Sequence, residues 1–283
     1  MASYLLITPA RDEEPFIEAT IRAVAAQTHP PALWIVVDDG SQDRTAEIVE
    51  EWAGRLQYLQ LRRTGRTGPR AVGSPVVEAF YAGMAGLDLG RFDFIAKLDA
   101  DILLPPRYFE TLMERFAQND RLGIAGGACA GPDGHIERVP GWHVRGALKC
   151  YRRKVFLALG RLEPALGWDT ADEIRTMMAG WETRSFEDLL VRQQRPTASG
   201  SGVLRGRLKQ GLACWNLGYD LALVLMKAGL LVFSRSAPGL GGLAFLGGYI
   251  SGLWRGRRIL SEAEQRFLRR LKWGRILRLA SRS

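Results

Sequence analysis

The chain has 283 residues, 47% of them hydrophobic and 24% charged, which are ordinary values for a folded protein of one or two domains rather than a disordered chain. The net charge of +9 is concentrated at one end, because residues 255–283 contain ten Arg or Lys and two Glu. The main domain is therefore not basic. A tail of this charge predicts a polyanionic partner, either a membrane surface or a nucleic acid.

The three cysteines lie far apart and form neither a CxxC pair nor a metal-ligand spacing. We expect them to be small core residues in a reduced, intracellular compartment: Cys129, Cys150 and Cys214. No signal peptide is predicted, because the apolar residues 1–7 are few and charged residues 11–14 follow at once.

Short apolar runs alternate with amphipathic stretches over the first 130 residues. This alternation predicts an α/β fold with a Rossmann-like, mostly parallel sheet flanked by helices. We predict strands at 4–8, 33–37, 56–61 and 92–98, and helices at 14–27, 43–52, 75–87 and 107–117. Beyond them we predict strands or strand–helix junctions at 122–129 and 144–151, and helices at 154–159 and 170–178.

The composition changes near residue 200. Residues 196–202 are Pro-Thr-Ala-Ser-Gly-Ser-Gly, which is typical of a linker, so we predict an α/β domain at 1–200 and a helical, basic C-terminal region at 201–283. Charge or glycine weakens the apolar runs 215–233 and 236–254 as membrane spans. Residues 261–279 begin with a Ser261–Glu264 capping box. They predict a basic amphipathic helix on an anionic membrane, with its apolar side formed by Phe267, Leu268, Leu271, Ile276 and Leu277.

Two aspartate motifs follow two of the predicted strands. The first is Asp38-Asp39-Gly40-Ser41, and the second is Asp99-Ala100-Asp101. Ligands of open α/β sheets bind beyond the carboxyl ends of the strands. Carboxylates in that position suit magnesium or manganese, so the pattern predicts a nucleotide whose phosphates arrive with a divalent cation.

Four ordered motifs resemble the family 2 glycosyltransferases, which are inverting enzymes of the GT-A fold. The resemblance covers roughly residues 3–200 and rests on residues 8–14, residues 37–41 with Asp43 and Thr45, residues 98–101, and residues 167–173. It implies a single-sugar (hexosyl) transfer from a nucleotide sugar to an acceptor hydroxyl, because the QxxRW motif of processive synthases is absent. We predict a lipid-linked or cell-envelope glycan as acceptor, as in polysaccharide biosynthesis, because the C-terminal region is suited to the cytoplasmic face of a membrane.

The resemblance also implies roles for individual residues. Asp101 binds Mg²⁺ or Mn²⁺, and Asp99 lies near the ribose and contacts the metal indirectly. Asp39 accepts the ring N–H of the base, which favours a UDP-sugar. The nucleotide cleft is lined by Pro9, Ala10 and Glu13, with Arg70 as a further contact to the base or a phosphate.

The acidic pair after the metal motif supplies the general base. Aligned by position, Glu173 takes that role and Asp172 is its neighbour, in the reverse of the usual Glu-Asp order. Many relatives have a histidine farther on, where this chain has Gln193-Gln194-Arg195-Pro196. Either Gln194 or Arg195 replaces the histidine, or the metal retains an additional water.

Three alternatives remain open from the sequence: a non-catalytic sugar-nucleotide binder, a nucleotidyltransferase and, more remotely, a nucleic-acid-binding protein. The absence of a glycine in Thr8-Pro9-Ala10-Arg11 disfavours the nucleotidyltransferase. The basic tail contains no recognised nucleic-acid-binding module, so we expect no nucleic-acid partner. The predicted location is cytoplasmic, peripheral to the inner face of the cell membrane.

Overall fold

The computed structural model describes residues 2–67, 74–195, 202–232 and 239–280. The chain divides into two compact units. The first comprises Met1–Leu162 and Ala179–Pro196, and the second comprises Glu163–Met178 and Thr197–Ser283.

The first unit contains a mixed sheet and the helices that cover it. Its strands are β1 (Tyr4–Ala10), β2 (Leu33–Asp38), β3 (Leu59–Arg63), β4 (Phe94–Leu98), β5 (Ile102–Leu103), β6 (Leu122–Ala130), β7 (Leu148–Arg152) and β8 (Glu182–Gln193). Its helices are α1 (Glu14–Ala25), α2 (Thr45–Ala53), α3 (Ser74–Met84), α4 (Tyr108–Gln118) and α5 (Arg153–Ala158).

The strands of the described residues form one eight-stranded sheet in the order β3-β2-β1-β4-β7-β6-β8-β5. The four strands β3, β2, β1 and β4 are parallel, and β6 and β8 are also parallel to each other. Side chains of β1, β2 and β4 are almost all buried, as expected for strands covered by helices on both faces. The predicted Rossmann-like sheet is therefore confirmed.

The predicted elements of the first 118 residues are present with small shifts of their ends. The third strand begins at Leu59 instead of residue 56, because Leu56 and Leu59 take part in a turn in which the Leu59 N–H donates to the Leu56 carbonyl. The long strand β8 was not predicted. Its buried positions include Thr183, Ser185 and Gln193, so its alternation of apolar and polar residues is weak.

The second unit is helical. It contains α6 (Trp168–Met178), α7 (Val203–Asn216), α8 (Leu221–Val232), α9 (Leu240–Arg255) and α10 (Glu262–Ala280). A Cβ on Gly211 would lie 1.9 Å from the Phe245 carbonyl oxygen, and a Cβ on Gly248 would lie 1.9 Å from that of Leu208. Glycine at these two positions therefore allows α7 and α9 to pack with their backbones in close approach.

Residues 163–178, assigned from the sequence to the α/β domain, group with the C-terminal helices. Arg175 on α6 donates to Glu264 Oε1 at 3.0 Å and to the Ile259 carbonyl at 2.7 Å, so α6 is held against the start of α10. The boundary near residue 200 stays a prediction, because residues 196–201 lie outside the described residues. All three cysteines are free and buried, as predicted.

The amphipathic interpretation of α10 is wrong. Its capping box is present, since the Ser261 N–H donates to Glu264 Oε2 at 2.6 Å and the Glu264 N–H to Ser261 Oγ at 3.3 Å. However, Leu268 and Leu277 are nine residues apart, which at about 100° per residue places them on opposite sides of the helix. Leu268 is buried and Leu277 is 66% exposed. Among the described residues, no helix has the length and apolar character needed to cross a bilayer.

Candidate active site

The carboxyl ends of three parallel strands meet at one edge of the sheet in the first unit. Ala10 of β1 is paired with Asp38 of β2, and Ile7 of β1 is paired with Lys97 of β4. The residues that follow these pairs along each strand therefore share that edge. The predicted residues brought together there are Pro9, Ala10, Glu13, Asp39, Asp99 and Asp101.

The turn after β2 is built around Asp38 and Gly40. Asp38 Oδ1 accepts the Ser41 backbone N–H at 3.0 Å, so this carboxylate stabilises the turn. Gly40 has φ +85°, and a Cβ there would lie 2.0 Å from the Arg66 carbonyl oxygen. Asp38 and Gly40 therefore fix the turn that carries Asp39, the residue between them, at the carboxyl end of β2.

Gly40→Ala should destabilise the fold more than a glycine replacement at an open position. We expect Gly65→Ala, at φ +67° with no atom nearby, to lower the free energy of unfolding by ~1 kcal/mol. In Gly40→Ala the new methyl group also collides with the Arg66 backbone. Its decrease in the free energy of unfolding should therefore exceed that of Gly65→Ala by about 1–3 kcal/mol. Urea unfolding measures both. Equal losses would show that the turn relaxes around the new methyl group.

Asp39 is buried and already in contact with two neighbours through one oxygen. Its Oδ1 accepts a hydrogen bond from Thr64 Oγ1 at 2.8 Å and lies 3.2 Å from Arg66 Nε. Arg66 also forms an ion pair with Glu78. Sequence reasoning missed Arg66 and named Arg70 instead, which lies outside the described residues.

The second motif contains one partly exposed and one fully buried carboxylate. Asp99 is about a third exposed and accepts a hydrogen bond from Lys97 Nζ, which also donates to the Gly146 carbonyl at 2.7 Å. Asp101 Oδ2 accepts a hydrogen bond from Gln193 Nε2 at 3.1 Å and forms an ion pair with Arg195, whose Nε lies 2.8 Å away. Burial raises the pKa of Asp101, and the nearby charge of Asp99 raises it further.

Arg195 links two acidic residues of this edge. Its Nη2 donates to Glu13 Oε1 at 2.7 Å while its Nε contacts Asp101. Gln194 instead donates to the Phe16 carbonyl at 3.1 Å and to Thr20 Oγ1 at 3.2 Å, on α1. Of the two residues that sequence reasoning left as replacements for the histidine, Arg195 is the one at the metal motif.

The donor set fits a divalent cation. Asp101 Oδ1 is buried and has no hydrogen-bond partner within the part of the chain that the structure describes. A buried carboxylate oxygen without a partner is costly, and a cation would satisfy it. The described residues contain no group of three or more His, Cys, Asp or Glu side chains for a metal. A magnesium-type ion held by one or two carboxylates takes its other ligands from water and substrate phosphates.

The predicted base and its neighbour belong to the second unit. Asp172 and Glu173 lie in the second turn of α6 and are 2% and 0% exposed. Such burial is uncommon for adjacent acids and is a feature of functional sites as well as of structural networks.

The match to known proteins decides the family. The model described as "Glycosyl transferase family 2" matches residues 5–180. The chain belongs to this family. The predicted resemblance to the family 2 glycosyltransferases is thereby confirmed.

The chain aligns with only part of each curated relative. It is 30% identical over 121 residues to the uncharacterized glycosyltransferase EpsJ of Bacillus subtilis, covering 43% of this chain and 32% of the relative. It is 27% identical over 146 residues to the dodecaprenyl-phosphate galacturonate synthase of Rhizobium johnstonii, covering 48% and 39%. The chain therefore spans less than half the length of these relatives.

Solved structures similar to this chain show that it has the GT-A fold. The mannosyltransferase PcManGT from Pyrobaculum calidifontis, in complex with GDP-Man and Mn²⁺, has a TM-score of 0.57 at 17% identity and covers 98% of this chain and 81% of its own. S. aureus TarS in complex with UDP-GlcNAc has a TM-score of 0.55 at 14% identity, covering 94% and 78%. The predicted fold class is confirmed.

Proposed function

We propose that this glycosyltransferase moves a single hexosyl group, with inversion, from a nucleotide sugar to an acceptor hydroxyl, with Mn²⁺ or Mg²⁺ as cofactor. The observation that carries the proposal is the buried Asp101 Oδ1, which has no hydrogen-bond partner among the residues that the structure describes and lies near Asp99 at the shared strand ends. The structural neighbours support it, since PcManGT is in complex with GDP-Man and Mn²⁺ and TarS is in complex with UDP-GlcNAc.

The nucleotide is proposed to lie along the carboxyl ends of β1, β2 and β4. Pro9 and Ala10 line the cleft, and Asp39 accepts the ring N–H of uracil. Both contacts of Asp39 described above fall on Oδ1, so Oδ2 is the oxygen assigned to the base. A UDP-sugar is therefore the proposed donor, and Arg70 stays a predicted contact.

The reaction is proposed as a direct displacement at the anomeric carbon. Glu173 takes the proton from the acceptor hydroxyl, the hydroxyl oxygen forms the new glycosidic bond, and the bond to the diphosphate breaks on the opposite side. Asp101 and Asp99 would hold the cation, which neutralises negative charge on the leaving diphosphate when bound.

Arg195 is proposed to replace the family's histidine as a fixed positive charge beside the diphosphate. Its guanidinium is held by Glu13 and Asp101, so little reorganisation is needed when negative charge develops. We expect Arg195→Gln to lower kcat/KM by about 10²-fold and to weaken UDP binding measured by calorimetry in EDTA, where no cation contributes.

Arg195→Lys is the matched control because it keeps the positive charge but not the forked geometry of the guanidinium. It should recover part of the lost kcat/KM and part of the lost UDP affinity. Thermal unfolding of each variant separates this effect from lost packing. UDP affinity in EDTA that is unchanged in Arg195→Gln contradicts the proposed role.

The acceptor is proposed to be a lipid-linked or cell-envelope glycan, with the protein peripheral to the inner face of the membrane. The name of the Rhizobium relative, a dodecaprenyl-phosphate galacturonate synthase, supports a lipid-linked acceptor. The charge of the C-terminal region supports an anionic surface.

A donor panel tests the function. UDP- and GDP-sugars with Mn²⁺, Mg²⁺ or EDTA are compared by thermal shift and by slow hydrolysis. We expect stabilisation and nucleoside diphosphate release with one donor, and only with a cation. Binding without any release on every donor and acceptor would instead indicate a non-catalytic sugar-nucleotide binder, and pyrophosphate release from a nucleoside triphosphate would indicate a nucleotidyltransferase.

A further inference from the structure

Helices α8 and α9 of the second unit are apolar on both their inner and outer sides. Their inner sides contribute Val224, Ala228 and Phe245 to the core of the unit. Their outer sides expose ten large apolar side chains, each at least 38% accessible: Leu221, Leu225, Met226, Leu230, Val232, Leu240, Leu243, Ile250, Leu253 and Trp254. We call these ten residues the α8–α9 face.

The exposed residues follow helical spacing. On α9, Leu240, Leu243, Ile250 and Trp254 recur at intervals of three, seven and four residues, which places them along one side. Scattered apolar residues are normal on a protein surface, but a concentration of ten large apolar side chains on two packed helices indicates an interaction surface.

No charged side chain lies among the exposed positions described for the two helices. The sequence of α8 contains one charged residue, Lys227. Its Nζ lies 3.9 Å from Cys214 Sγ and 5.3 Å from the Phe245 ring centroid, so it points into the unit. The α8–α9 face therefore has the apolar character of a surface that becomes buried on binding.

The residues at and after the end of α9 indicate what covers the α8–α9 face. Trp254 is 78% exposed, and Arg257, three residues farther on, is 81% exposed. Tryptophan followed by basic residues is typical of protein segments at the boundary between acyl chains and anionic headgroups. A second copy of this chain would instead bring two strongly basic C-terminal regions together, which like-charge repulsion disfavours.

We propose that the α8–α9 face inserts into the headgroup region of an anionic bilayer, with Trp254 and Arg257 at headgroup level. This inference names the surface behind the membrane association proposed above. It does not depend on sugar transfer, because a binding experiment contains no donor. Helix α10 adds basic charge but no apolar side of its own.

Vesicle flotation of the full chain tests the inference. The vesicles contain phosphatidylcholine with or without phosphatidylglycerol, at low and high salt. We expect the wild type to float with the anionic vesicles and to remain partly bound at high salt, because screening weakens charge attraction and not apolar insertion. The double variant Leu230→Glu/Leu243→Glu should lower the partition coefficient by at least about 10-fold.

Two matched variants control for charge and for location. Leu157→Glu alters a leucine on α5 of the first unit that is 54% exposed, and it should partition like the wild type. Arg266→Glu/Arg270→Glu reverses exposed charges on α10 and should reduce binding only at low salt. Vesicles with brominated acyl chains should quench the wild-type tryptophan emission, and Trp254→Phe should lose most of that quenching.

Three outcomes would overturn the inference. In the first, Leu230→Glu/Leu243→Glu partitions like the wild type. In the second, only the α10 charge reversal abolishes binding, so that α10 carries it. In the third, the wild type does not float and is a dimer in solution that the leucine substitutions dissociate. Donor hydrolysis is also measured without vesicles, and it should be unchanged in Leu230→Glu/Leu243→Glu, which shows that the variant is folded. The same measurement distinguishes a failure of membrane binding from a failure of the proposed sugar transfer.

Discussion

Asp101→Asn is expected to lower kcat/KM by about 10³-fold or more, because several kcal/mol of charge stabilisation at the leaving diphosphate depend on a cation held there. The replacement keeps the size of the side chain. Its amide oxygen can still accept the hydrogen bond from Gln193 and remain beside Arg195. The NH₂ group then takes the place of Oδ1, which has no hydrogen-bond partner among the described residues. An amide N–H directed at that position repels a cation.

The comparison needs a control and a binding measurement. Asp120→Asn removes an exposed carboxylate of the same unit and should leave turnover unchanged. For Asp101→Asn we expect the Mn²⁺-dependent part of UDP affinity to be lost and the affinity in EDTA to be retained. Turnover and metal dependence like those of the wild type would refute the assignment of Asp101.

Glu173→Gln is expected to lower kcat by about 10²- to 10⁴-fold while leaving donor binding unchanged. The substitution preserves shape and removes the carboxylate that accepts the proton of the acceptor hydroxyl. We predict that nucleoside diphosphate is no longer released in the presence of acceptor, and that UDP and Mn²⁺ still produce a normal thermal shift.

Asp172→Asn is the matched control for Glu173→Gln. Both acids are almost completely buried on neighbouring positions of α6, so both substitutions remove a buried charge. We expect Asp172→Asn to cost less than 10-fold in kcat, less than the usual range for a general base. A larger loss in Asp172→Asn than in Glu173→Gln would transfer the base role to Asp172.

The sequence was most informative where apolar runs end in acids. The runs before Asp39 and Asp99 predicted parallel strands, and the register of β1 with β2 and β4 brings their ends together. This worked because buried parallel strands are nearly continuous apolar runs, and because ligand sites follow their carboxyl ends.

Long-range pairing was not accessible from the sequence. Arg195 lies beside Asp101 because β8 pairs with β5 in the register Gln193 with Ile102, over ninety residues apart. The weak polar alternation of β8 gave no indication of that pairing. Similarly, the contact between Arg175 and Glu264 that groups α6 with the C-terminal helices joins residues 89 positions apart.

The prediction of an amphipathic α10 was wrong because it rested on the composition of the segment and not on the angular positions of its residues around the helix. The mixture of Arg with Leu, Ile and Phe in α10 suggested two sides, but the angular positions of Leu268 and Leu277 are opposite. The exposed apolar side chains belong instead to α8 and α9, whose largely apolar sequences do not reveal which side faces solvent.

The most direct test of the central claim is a crystal structure with UDP and Mn²⁺, with anomalous scattering recorded at the manganese edge. The account predicts one anomalous peak within coordination distance of Asp101 Oδ1 and the UDP phosphates, with the uracil ring N–H donating to Asp39. Manganese and UDP bound away from Asp101, or UDP bound at the strand ends with no manganese beside it, would contradict it.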